Sequence, residues 1–186
     1  MYAAKNVDRR SAALVHERIA ASVAARSAPA ASSNAAGADL AATEAAMRSC
    51  TSAADRLSTF CAAYTRLDEY RSFQMWLDAW AEARRRPALG ATSRRLNVAW
   101  QRLISTTITE GIDEGAMSCV EPDATAWRVL SLLDGLSMQL AAHPGVIERP
   151  VALDWAMTAL EAEVRIPEGS LTRPTATPRS KSRFAT

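Results

Sequence analysis

Phe73, Trp76, Leu77 and Trp80 stand at i, i+3, i+4 and i+7, the spacing that lays apolar side chains along one face of an α-helix. Arg84, Arg85 and Arg86 close that stretch where cations favour the helix dipole, and Pro87 stops it. A longer helix is expected next, with Leu96, Trp100, Leu103, Ile104, Thr107 and Ile108 on one face and an end near 111–115. At about 1.5 Å per residue, roughly 24 residues span about 36 Å, enough to cross a small domain. Pro122 followed by Asp123 marks another helix start. From there to about Ala142 the chain is apolar on more than one face, through Trp127, Val129, Leu130, Leu133, Leu136 and Leu140, so it must be buried on several sides. His143-Pro144-Gly145 ends that run. A last helix over about 150–164 places Leu153, Met157, Leu160 and Val164 on one stripe and Trp155 off it.

Earlier in the chain the signals are weaker. Ser52 can cap a helix holding Leu57, Phe60, Cys61 and Tyr64. An alanine-rich helix is expected from Asp39, as its N-cap, to about Ser49. The stretch from Ser27 to Gly37, rich in Ser, Pro and Asn, reads as a loop or linker near 27–38. Residues 9–26 can form a weakly amphipathic helix with Leu14, Ile19 and Val23. Beyond Pro167 the Pro, Thr, Ser and Arg content of 167–186 predicts a disordered tail. No sustained alternation and no hairpin turn between apolar runs occurs. The expected fold is all-α, an antiparallel helical bundle over 51–166 with a poorly defined segment 1–50 ahead of it.

The composition narrows the function classes. Hydrophobic residues make up 48% of the 186 and charged residues 23%, ordinary for a globular domain with its own core. A net charge of +2 neither demands nor excludes a polyanionic partner. No apolar run is long enough to span a membrane, and the N-terminus has no apolar signal core, so a cytoplasmic location is expected. Cys50, Cys61 and Cys119 form no C-x-x-C pair and read as small buried or half-buried side chains. With His16 and His143 alone, no zinc spacing exists, and no metal or cofactor is expected. Nucleophile elbows, phosphate loops and di-iron motifs are absent too, so no catalytic residue is assigned and an enzyme is not expected.

The helices at 122–142 and 150–164 carry more apolar surface than a short bundle easily covers. Gly135 costs about 1 kcal/mol in a helix interior relative to alanine, and it lets another backbone approach closely. Trp127, Leu133, Gly135, Leu136, Leu140, Trp155 and Leu160 are therefore the candidate face for pairing with a second copy in a two-fold four-helix arrangement. The alternative is that these faces pack on the helices before them.

Three pieces carry a resemblance. The stretch from Phe73 to Leu89, Trp100 through Glu110-Gly-Ile-Asp-Glu-Gly-Ala116, and Leu132-Leu-Asp-Gly-Leu136 are similar in order and spacing to the effector-binding half of TetR-family transcriptional repressors, notably the BetI branch. The likeness covers about 51–164. It implies a homodimer paired through its C-terminal helices, with a small molecule in the core altering the spacing of two DNA-reading heads. Ahead of residue 51 no helix–Gly–helix pattern and no Tyr-x-x-Phe-x-x-Lys-x-x-Leu motif occurs; Tyr2 and Lys5 are the nearest trace. Residues 1–50 thus read as degenerate or truncated, and DNA is a partner only if they hold a reading head.

Tyr64, Phe73, Trp76, Trp80, Trp100 and Ile104 are the candidate ligand-binding residues, since aromatic walls suit a small hydrophobic or cationic effector. Their alternative role is plain core. Gln74, Asp78, Glu82 and Gln101 are candidate polar contacts, with a solvated face as the alternative for Asp78 and Glu82. Arg84–Arg86 and Arg94–Arg95 read as helix-end surface charge, with contact to phosphates as the alternative. Two functions stand side by side: a ligand-sensing TetR-like regulator without a recognisable helix-turn-helix, and a non-sensing helical interaction protein that forms homo- or heterodimers.

Overall fold

The structure, a computed structural model, describes the backbone of residues 29–66 and 71–173 and the side chains of 37–65 and 76–173. Six helices and no strand occur among the described residues: α1 (Pro29–Arg48), α2 (Ala53–Arg66), α3 (Arg71–Ala83), α4 (Pro87–Asp113), α5 (Pro122–Ala142) and α6 (Arg149–Glu163). The helix expected over 9–26, the Tyr2 and Lys5 trace and the tail beyond residue 173 lie outside the described residues. No described helix is long and apolar enough to cross a membrane.

Proline sets the starts. Pro87 and Pro122 each sit in the first helical turn, where the missing N–H costs nothing and the fixed φ favours the helix. Ser52 caps α2 reciprocally: its Oγ accepts from Asp55 N at 3.1 Å and donates to Asp55 Oδ2 at 2.8 Å. Glu114, just past α4, also accepts from Ala53 N at 3.1 Å and from Arg56 Nη2 at 2.9 Å, tying the end of α4 to the start of α2. The α4 terminus is a Schellman turn, with Gly115 at φ 71°, Gly115 N bonded to Ile112 O and Ala116 N to Gly111 O. α6 ends the same way with Arg165 in the left-handed position, its N–H on Ala162 O and that of Ile166 on Glu161 O.

α4 is the central rod. It packs against α1, α2, α3 and α5, while α2 also touches α5 and α6. Of the stripe read from its sequence, Leu96, Trp100, Ile104, Thr107 and Ile108 are buried and Leu103 is half-buried against the core. The core continues through Leu57 and Phe60 of α2, Leu130 and Leu133 of α5, and Met157 and Leu160 of α6. At Gly111 the packing is closest, since a Cβ there would come within 2.9 Å of Met117 Cγ and 3.1 Å of Ala53 Cβ.

Two expectations are corrected. The linker near 27–38 is helical from Pro29 onward, so Asp39 lies inside α1 and not at its cap. Five alanines at 30, 31, 35, 36 and 38 sustain the helix, outweighing Ser and Asn, which cost only tenths of a kcal/mol each, and one glycine at about 1 kcal/mol. Residues 167–173, expected to belong to a disordered tail, are docked on the bundle. Leu171 is buried and Arg173 is bonded to α6, because Glu161, itself buried, draws the chain back over the helix.

Candidate functional site

Phe60 and Tyr64 stand one turn apart on α2 and stack at a ring distance of 5.7 Å. Trp100 of α4 meets both edge-on, at 5.7 Å from Phe60 and 5.2 Å from Tyr64. Ile104, one turn further along α4, is fully buried. Trp76 and Trp80 of α3 lie against each other, tilted, at 6.0 Å; Trp76 is buried and Trp80 half-buried against the core. The side chain of Phe73 lies outside the described residues. The structure thus joins Tyr64 and Trp100 in one aromatic cluster and sets Trp76 and Trp80 as a second pair. Phe60, which is not among the candidate residues, is the third member of the first. Its position beside Tyr64 at i and i+4 was the available signal.

The polar groups around these rings are engaged. Tyr64 Oη donates to Asp134 Oδ1 on α5. Burial pushes the Tyr64 hydroxyl well above the usual tyrosine range, and the neighbouring Asp134 charge pushes it further. Burial also raises the Asp134 carboxyl, with the Tyr64 hydrogen bond pulling part of the way back. Gln101 Nε2 donates to Asp123 O at 3.2 Å and Asp123 Oδ1 at 3.3 Å, so it fastens α4 to the start of α5. Ser105 Oγ donates to the same carboxylate, and these hydrogen bonds hold Asp123 below the usual range. Glu82 pairs with Arg85 at 3.1 Å and with Arg86 at 3.6 Å on the surface. The side chain of Gln74 lies outside the described residues. Burial pushes the Cys61 thiol up to about 12, which leaves it an inert packing group. Among the described residues no group of three His, Cys, Asp or Glu side chains is placed to hold a metal.

The second candidate face divides. Leu133 and Leu160 are fully buried inside the chain's own core and Leu136 nearly so, each packed as the stripes of α5 and α6 demand. Leu140 is half-buried. Trp127 and Trp155 keep 40% and 51% of their surface in solvent, and with Met138 and Val151 they form the exposed apolar part of α5 and α6. A Cβ at Gly135 would meet nothing within 4 Å, so that backbone faces open space. Beside this face, Arg128 of α5 grips Glu163 of α6 through two bonds, Nε–Oε1 at 2.8 Å and Nη2–Oε2 at 2.5 Å. Next to that pair is a concavity of about 520 Å³ lined in part by Cys119, Thr125, Ala159 and Ala162. A second concavity, of about 660 Å³, lies between α1 and α4 and carries Arg94, Arg95 and Arg102 with Val98, Leu103 and Glu44.

Residues 53–165 match the family described as the BetI-type transcriptional repressor, C-terminal. The matched stretch opens at the first residue of α2 and closes in the turn after α6, and it covers more than half of the chain. The chain belongs to this repressor family. The BetI-type unit therefore holds both the Phe60–Tyr64–Trp100 cluster and the Trp127–Trp155 face, whereas α1 and residues 166–173 flank it. No curated protein and no solved structure matches the chain.

Proposed function

We propose that the chain acts as the effector-sensing and pairing half of a BetI-type regulator. The observation that carries this reading is the exposed apolar face of α5 and α6, Trp127, Met138, Val151 and Trp155, inside the matched stretch. Each tryptophan or large aliphatic side chain left in water forgoes roughly 1.5–3 kcal/mol of burial, so several of them on adjoining helices favour a second copy. Trp127 and Met138 are eleven residues apart, close to three full turns, and so share one side of α5. Two copies meeting there would form a two-fold four-helix interface, with Gly135 allowing close backbone approach. The effector, small and hydrophobic or cationic, would enter beside Tyr64, Trp76, Trp80, Trp100 and Ile104. Regulation and not catalysis is the proposed role, and DNA contact would depend on what precedes α1.

A second reading has its own support. Phe60, Tyr64 and Trp100 fill one another's space, as a core does, which favours a helical interaction protein that pairs with itself or with relatives and senses nothing. Sedimentation velocity over a concentration series tests pairing, and a persistent monomer would defeat both readings. Thermal melting with a panel of amines, lipids and neutral aromatics separates them. A sensing protein gains RT ln(1 + [L]/Kd), whereas a pure pairing module gains nothing from any compound.

A further inference from the structure

We propose that residues 167–173 form a strap that fixes α6 against α2 and thereby sets how tightly two copies pair; this rests on the pairing reading above. The strap turns back at Gly169, whose φ of 84° suits glycine, with Ser170 N on Pro167 O at 3.1 Å. Leu171 then enters the core, 1% exposed. Its N–H donates to Glu161 Oε1 at 2.7 Å, and Thr172 N donates to Ser58 Oγ on α2 at 2.9 Å. Arg173 lies along three successive turns of α6: Nε reaches Asp154 Oδ1 at 2.5 Å, Nη2 reaches Thr158 Oγ1 at 3.0 Å, and Nη1 reaches Glu161 Oε1 at 3.0 Å.

Glu161 is 1% exposed, and a carboxylate so placed needs its partners. The strap supplies them from both its backbone and its arginine. Asp154 and Thr158 flank Trp155 in sequence, so the arginine borders the exposed stripe of Val151 and Trp155. The strap lies beyond the matched residues 53–165, so the device is not part of the BetI-type unit itself. A loosened α6 would still be helical, but Trp155 would no longer be held in one place on the bundle surface. Pairing strength would then fall while the rest of the bundle survives.

The test uses the full chain in four forms, wild type, Arg173→Met, Glu161→Gln/Arg173→Met and Trp155→Glu, with the dimer dissociation constant read by sedimentation. The expected result is at least a tenfold rise for Arg173→Met at unchanged helical circular dichroism. The double variant Glu161→Gln/Arg173→Met removes the buried charge with its partner, keeps the core intact and gives the same rise. If wild type dimerises and either strap variant raises the constant by less than tenfold, the strap inference is overturned; the pairing reading stands where Trp155→Glu dissociates the dimer. A wild type that is monomeric throughout overturns both.

Discussion

Tyr64 of α2 and Asp134 of α5 share a hydrogen bond that joins the aromatic cluster to the helix bearing Trp127 and Gly135. It links the interior of the proposed sensing region to the proposed pairing helix through a single donor. Asp134 lies next to Gly135, whose open side faces away from the bundle. A displacement of the Tyr64 ring would act on α5 through this bond.

The Asp134 carboxyl is raised by burial, so the native chain holds this proton more readily than the unfolded chain. Its contribution to stability is fully present below the ordinary aspartate range and is lost as pH rises through the native value. Asp134→Asn should flatten the fall in urea-unfolding stability that begins above about pH 4. Tyr64→Phe should cost roughly 1.5–3 kcal/mol. It should also widen that window, because the hydrogen bond that pulls Asp134 down is gone.

The acid side runs the other way. Glu163 is held below the usual range first by its hydrogen bond to Arg128, and Glu114 by the N–H of Ala53 and by Arg56. Their contributions are present above the ordinary glutamate range and lost as pH falls through the depressed native values. Glu163→Gln should reduce the loss of melting temperature between about pH 5 and pH 3. A variant that melts with the wild-type acid profile would show that the Arg128 pair does not couple to folding.

Gly111, packed inward, and Gly135, open, should respond with opposite signs. Gly111→Ala places a methyl against Met117 and Ala53, so the crowding should outweigh the helix-propensity gain of about 1 kcal/mol and lower the melting temperature. Gly135→Ala meets open space within the chain and should stabilise the monomer by up to about 1 kcal/mol. If two copies approach closely there, the same substitution weakens pairing in sedimentation.

Phe60→Ala should cost about 3–5 kcal/mol in urea unfolding, the cost of a cavity in a closed core. A cost below about 1 kcal/mol would mean that the cluster stands open to solvent or ligand, in favour of a sensing role.

Much of the fold was legible because the strongest signals were also the buried ones. Pro87 and Pro122 opened helices as their fixed geometry requires, and the Leu96-to-Ile108 stripe became the inner face of α4. The region 27–38 misled because Ser, Asn and Gly signal a loop locally, while alanine favours helix by small increments that matter only in sum. Docking of 167–173 had no periodic signal, since it depends on Glu161 being buried, which is a tertiary fact. The neighbours of the candidate residues were legible in part. Tyr64 and Trp100 meet as an aromatic pattern suggests, yet Asp134 went unread as a partner because its mate is 70 residues away. Leu133 and Leu160 were placed on the pairing face because composition marks them as apolar without saying which side of the helix is already covered.

α1 is gripped near its C-terminal end, where Thr43 and Met47 are buried and Cys50 Sγ lies 3.2 Å from Thr59 Oγ1 of α2. Its 20 residues make a rod of about 30 Å. Pivoted at Met47, a tilt of about 10° would sweep the Pro29 end through roughly 5 Å. On the sensing reading proposed above, a shift beneath Met47 would be larger at Pro29, and α1 would serve as the lever between them.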